Sequence, residues 1–243
     1  MKVSCKKGVT LIELVIASFI LLLLVYAMYD VFTHGLLIWR LGSQRQDNEQ
    51  KTIVVTNRLF YELKMTAASS ITTFNYDSIS GTSNLNYSST ATTLEKDANA
   101  NNGISFRSPI DPDTGNIVID DWMGKLRWQN YNIYYTKPDT KNVSKFLLCR
   151  REVPLGSKRG EVNSIPLEIF IPDGTTSAPG INTYINGSYT GTERVISRDV
   201  IKSLFRRNNY NEIEFFIEVG QPKEDYKDSP GNSKNRIRVI IRN

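Results

Sequence analysis

The sequence predicts an α+β chain: a long N-terminal α-helix, its first half able to span a membrane, packed through its second half on an antiparallel β-sheet. Three observations predict it. Residues 9–29 are almost wholly apolar. Residues 36–66 keep an apolar face at three-to-four-residue spacing. The last third of the chain carries runs in which apolar and charged residues alternate, the period of a half-buried strand. A chain of 243 residues with 40% hydrophobic and 23% charged residues has ordinary globular averages. Those averages conceal the split between an apolar start and a remainder rich in Asn, Ser, Thr and Tyr.

The first element is charged and short. Lys2, Lys6 and Lys7 supply three of the net +5 charges, so the basic balance belongs largely to the first eight residues and argues only weakly for a nucleic-acid partner. From Val9 to Tyr29 a helix rises about 32 Å, matching a hydrocarbon core of about 30 Å. Lysines ahead of the run place the N-terminus in the cytoplasm and send the rest outward. A secretory signal peptide would need a small-residue cleavage site after the run, where Tyr26, Met28, Tyr29 and Asp30 stand instead. A plain signal anchor accounts for neither Gly8 nor Glu13. A carboxylate inside a membrane helix costs up to about 2.5–3.5 kcal/mol at its centre, and such a group ordinarily has a partner.

Lys7-Gly8-Val9-Thr10-Leu11-Ile12-Glu13-Leu14 resembles the class III signal of type IV pilins and type II secretion pseudopilins, with Val9 where the pattern commonly has phenylalanine. The resemblance implies a pilin fold and a division into leader 1–8, transmembrane and filament-core helix 9–29, helix continuing into the body 30–68, and periplasmic or extracellular β-sheet body 69–243. It implies cleavage between Gly8 and Val9 by a prepilin peptidase, N-methylation of Val9, and a role in assembly for Glu13. The residues themselves agree. A cut after Gly8 would leave an ammonium on Val9, and Glu13 lies one helical turn away on the same face. It could pair with that ammonium or with a neighbouring subunit's, offsetting the desolvation of both. The resemblance further implies a bacterial inner-membrane protein, single-pass, with other minor and major pilins or pseudopilins as partners.

The helix should continue to about residue 66, with a soft spot at His34-Gly35, where glycine costs about 1 kcal/mol and allows a kink. Leu37, Leu41, Thr52, Val55, Leu59 and Leu63 fall near one face, which Gln44 and Asn48 interrupt in the middle. Arg45, Asp47, Glu49, Lys51, Arg58, Glu62 and Lys64 suit a solvated or subunit-facing side. Ala67-Ala68-Ser69-Ser70 ends it. Residues 69–103, rich in Ser, Thr and Asn, read as a long connection.

Strands follow at Ile104–Phe106 and Ile117–Ile119. A long hairpin pairs Leu126–Tyr135 with Lys145–Val153 through Lys137-Pro138-Asp139-Thr140. Residues 154–192 read as loop, with a short strand at Leu167–Ile171. Val195–Phe205 reads as a strand running into a turn. Ile213, Phe215, Ile217 and Val219 alternate with glutamates, and Ile237, Val239 and Ile241 with arginines, so the acidic face of one strand should lie beside the basic face of the other. This layout is similar to the J-type minor pseudopilins of type II secretion and to the W-type minor pilins.

Nothing in the sequence assembles an active site, and neither an enzyme activity nor a cofactor is expected. His34 reads as an interfacial polar residue, and Cys149, beside Leu147 and Leu148, as a buried structural thiol. Asp111, Asp113 and Asp120 around Gly115 are a weak calcium candidate, but Asp, Pro, Gly and Asn are also the usual turn residues. Arg127, Trp128, Tyr131 and Arg150 interleave basic and aromatic side chains, a pattern that can stack bases and bind phosphates, although alternate aromatics of a hairpin ordinarily form core. The functional expectation is a minor pilin or pseudopilin that helps prime assembly of a type II secretion pseudopilus or type IV pilus. The alternative is a tip adhesin or a DNA-uptake minor pilin using that aromatic–basic surface.

Overall fold

The computed structural model describes residues 10–76, 101–191, 193–220 and 232–241. The chain divides into two units, Met1–Gln44 and Arg45–Asn243. The long helix α1, Leu11–Lys64, supplies the described part of the first and the opening of the second. Its helical pattern passes Gly35 and Gly42 without interruption, so the soft spot expected at Gly35 is not used. Its last turn tightens, with Met65 and Thr66 donating to the carbonyls of Glu62 and Leu63 at 3.2 and 3.3 Å, which uses carbonyls that an ending helix otherwise leaves bare. A single 3₁₀ turn, Ala68–Ser70, follows.

In the second unit the described strands form one antiparallel sheet in sequence order: β1 (Thr72–Phe74), β2 (Gly103–Ser108), β3 (Asn130–Asp139), β4 (Asn142–Pro154), β5 (Arg194–Asn209), β6 (Glu212–Val219) and β7 (Ser233–Ile240). The long hairpin is β3–β4, with Tyr134 opposite Arg150 and Tyr135 opposite Cys149. It turns at Thr140-Lys141 and shifts register between Pro138 and Asp139. β5 is longer than its sequence suggested, because the run continues past Phe205 to pair Phe205, Arg206 and Arg207 with Phe215, Glu214 and Ile213. The acidic and basic faces of β6 and β7 do lie together. Arg236 reaches Glu214 at 2.5 Å, Arg238 reaches Glu212 at 2.8 Å and Lys234 reaches Glu218 at 3.8 Å.

Three expectations are corrected. Residues 69–103 are not all connection, since β1 pairs with β2 there; a three-residue strand is too short to show a period. Ile117–Ile119 makes only isolated bridges, Ile110 to Ile117 and Ile119 to Leu126, because Pro112 and the Asp-Gly turns on either side keep the chain from running straight. Leu167–Ile169 is a 3₁₀ turn, not a strand, and Ile181–Ile185 forms the short helix α2.

The strand period sorts side chains onto two faces. On one, Ile104, Phe106, Tyr134, Leu148, Phe215 and Val239 pack with Val55, Leu59 and Leu63 of α1. On the other, Tyr131, Ile133, Tyr135, Cys149 and Val153 pack with Leu167, Phe170, Ile181 and Tyr184 from residues 155–185. The long loop is therefore the cover of the second face of β3–β4. Both faces of β3 and of β6 are largely buried, whereas β7 at the sheet edge keeps an exposed face.

Candidate functional site

The start of α1 is built by its own residues. Thr10 precedes the first turn, and its carbonyl accepts from the Leu14 N–H at 3.2 Å. Its backbone N–H donates to Glu13 Oε2 at 2.9 Å, while the Glu13 N–H approaches Thr10 Oγ1 at 3.4 Å. This is a capping box, Thr-x-x-Glu, in which two otherwise orphaned donors are satisfied reciprocally. The Thr-x-x-Glu spacing that signals it stands in the sequence at Thr10 and Glu13. The cap is also a local reason for a carboxylate to be tolerated beside an apolar run. Gly8 and Val9 lie outside the described residues, as does any pairing of Glu13 with the Val9 amine.

Beyond the cap, Leu11 to Leu24 present their large apolar side chains to the surroundings. Among the described residues α1 is the one helix long and apolar enough to cross a membrane. Two of its hydroxyls are satisfied on the helix itself: Ser18 Oγ donates to the Val15 carbonyl and Thr33 Oγ1 to the Asp30 carbonyl, each at 2.9 Å. That is the economy a segment without water requires. His34 Nε2 stands 3.4 Å from Asp30 Oδ1, one turn back.

The aromatic–basic surface does not exist as a surface. Trp128, Tyr131 and Arg150 are 4%, 0% and 6% exposed. Tyr131 and Arg150 lie on opposite faces of the hairpin. The Tyr131 hydroxyl donates to the Ile165 carbonyl beneath the loop at 2.7 Å, and burial pushes its pKa up to about 12. Arg150 faces the helix, 2.9 Å from Asn132 Oδ1 and 3.6 Å from Glu62, and bonds Glu152. Trp128 Nε1 donates to the Val162 carbonyl, and Arg127 turns to Asp120 at 3.2 Å. Aromatics in a hairpin covered on both sides are core, and the arginine between them is caught beneath the helix instead of facing water.

Glu62 is the residue that sequence reasoning misplaced. Its charge suits a solvated or subunit-facing side, yet it is buried between Leu59 and Leu63 on the packed face. Its carboxylate accepts from Asn132 Nδ2 at 2.8 Å, the Tyr134 hydroxyl at 2.9 Å and Arg58 Nε at 3.1 Å. Three residues from Leu59 is a core spacing, and that spacing was the available signal. Arg107, fully buried, was not singled out either. Its Nε donates to the Tyr131 hydroxyl at 2.8 Å and its guanidinium stacks 4.9 Å from that ring.

The aspartates around Gly115 do what turn residues do. Asp111 Oδ1 accepts from the Asp113 N–H at 2.9 Å and from Arg159 at 2.6 Å; Asp113 also faces Arg159, at 3.4 Å. Asp120 Oδ1 accepts from the Trp122 N–H at 3.1 Å, its other oxygen serving Arg127. Gly115 takes a positive φ of 73°, the conformation that glycine permits in such a turn. Among the described residues no three His, Cys, Asp or Glu side chains gather as metal ligands. Cys149 is buried, and burial raises its pKa to about 12, leaving a protonated thiol at neutral pH, a poor nucleophile.

Compared with known protein families, with curated proteins and with solved structures, the chain matches none.

Proposed function

We propose that this chain is a minor pilin or pseudopilin subunit, without catalysis of its own, that helps prime assembly of a type II secretion pseudopilus or a type IV pilus. The single observation that carries the reading is the Lys7–Leu14 motif standing at the head of a helix whose first part is exposed and apolar and whose last part is packed on an antiparallel sheet. That succession supports the pilin fold as the finer description of an α+β chain. A prepilin peptidase would cut between Gly8 and Val9 and methylate the new amine. The helix would hold the subunit in the bacterial inner membrane, lysines inside, body in the periplasm, until it is drawn into a filament with other pilins or pseudopilins. The DNA-uptake alternative keeps no support from Arg127, Trp128, Tyr131 and Arg150, three of which are core.

Mass-spectrometric sequencing of the mature N-terminus tests it. The expected start is N-methyl Val9; an intact Met1, or a start beyond the apolar run, overturns the proposal. Glu13 is tested apart from its cap. Glutamine also serves in a capping box, so Glu13→Gln retains the helix start while removing the charge. It should be processed normally and enter filaments poorly; normal incorporation would reduce Glu13 to a cap.

A further inference from the structure

We propose that the lipid contact of α1 does not end at Tyr29 but runs to Leu41, so that the segment crosses the headgroup layer as well as the hydrocarbon. This rests on the membrane-anchor reading above. Leu11 to Leu41 rises about 45 Å, against about 30 Å for the hydrocarbon core and about 40–45 Å for a bilayer with both headgroup layers, so this stretch has the length to run from one headgroup layer to the other.

The residues after Tyr29 are as bare as those before it. Val31 is 72% exposed, Phe32 63%, Leu37 56%, Ile38 69% and Trp39 69%. At about 100° per residue, Val31 and Ile38 point to one side of the helix, Phe32 to a second and Leu37 to a third, the three spread around its circumference. A single partner helix would need one apolar stripe; apolar side chains all round fit a solvent that surrounds the helix, which is lipid.

The polar groups within the stretch are compatible with that medium. The Thr33 hydroxyl is bonded to the Asp30 carbonyl, and Asp30 and His34 face each other on one side. Trp39 and Arg40 stand at the outer end, where an indole and a basic side chain with an apolar stem favour the interface. The far boundary is abrupt. From Gly42 to Gln50 no residue is apolar apart from the glycine, and the first buried residue of the helix is Thr52.

The test uses the full chain expressed without other filament subunits, with Cys5 and Cys149 replaced by alanine. Single cysteines at Ile16→Cys, Phe32→Cys, Leu37→Cys, Ile38→Cys and Asp47→Cys are labelled in spheroplasts with a membrane-impermeant maleimide. Asp47→Cys should label readily. The cysteines at 32, 37 and 38 should label about tenfold more slowly, because a thiol held among lipids forms little thiolate. Labelling at 37 and 38 as fast as at 47, with Ile16→Cys protected, overturns the extension and leaves the anchor standing. Labelling of Ile16→Cys as well overturns the anchor itself. Protection that appears only on co-expression with filament subunits assigns the surface to protein and overturns the lipid assignment.

Discussion

Replacing Glu62 by alanine should cost the body more stability than any substitution on the outer face of its helix. The carboxylate is 5% exposed and accepts from Asn132, Tyr134 and Arg58 while facing Arg150 at 3.6 Å. Removing one partner of a buried ion pair costs about 3–5 kcal/mol. Arg150 keeps Glu152 and Asn132, which lowers the expectation to about 2–4 kcal/mol, mostly from the donors of Asn132 and Tyr134 left without an acceptor. For a body of this size each kcal/mol moves Tm by about 2–4 °C, so Glu62→Ala should melt about 5–15 °C lower. Glu62→Gln, which keeps the shape and one acceptor, should lose roughly half as much. Glu62→Leu combined with Arg150→Met removes both charges from the interface and should recover part of the loss. The assay is thermal unfolding of the full chain in detergent, followed by near-ultraviolet circular dichroism. A Glu62→Ala protein melting within about 2 °C of the parent would refute the buried network as a stabilising contact.

Two further outcomes follow from the core. A Cβ on Gly103 would lie 2.3 Å from the Phe74 ring across the β1–β2 pair; Gly103→Ala should therefore cost about 1–3 kcal/mol by overpacking, and Phe74→Leu in the same chain should relieve it, as chemical denaturation would read. Burial holds both the Cys149 thiol and the Tyr131 phenol up at about 12, above unfolded values near 8.5 and 10. A raised native pKa means that the folded state keeps protons the unfolded chain has released. Stability is then complete below about pH 8.5 and declines as pH rises towards 12, and Cys149→Ala should flatten the first part of that decline in a series of melts.

Much of this was legible in the chain because it depends on near neighbours. The apolar run, the helix to Lys64, the long hairpin and the opposed charges of β6 and β7 are written in periods of 3.6 and 2, which local sequence displays directly. The cap of Thr10 and Glu13 is local too, three residues apart, and was there to be read. What failed was long-range. Nothing around residues 155–185 announces that they will cover the second face of β3–β4, since their apolar residues follow no period and gain their meaning only from Tyr131, Ile133 and Cys149 beneath them. That cover is why Trp128, Tyr131 and Arg150 are interior and do not present a binding face.

The sequence by itself determined that a helix begins at an apolar, motif-bearing N-terminus and ends in an antiparallel sheet, because hydrophobic periodicity and capping act within a few residues. Only the tertiary structure decided which charges lie buried between helix and sheet. Glu62 and Arg150 look as soluble in the sequence as Glu49 and Arg45, and they are buried because helix and sheet close over them from positions 70 residues and more apart.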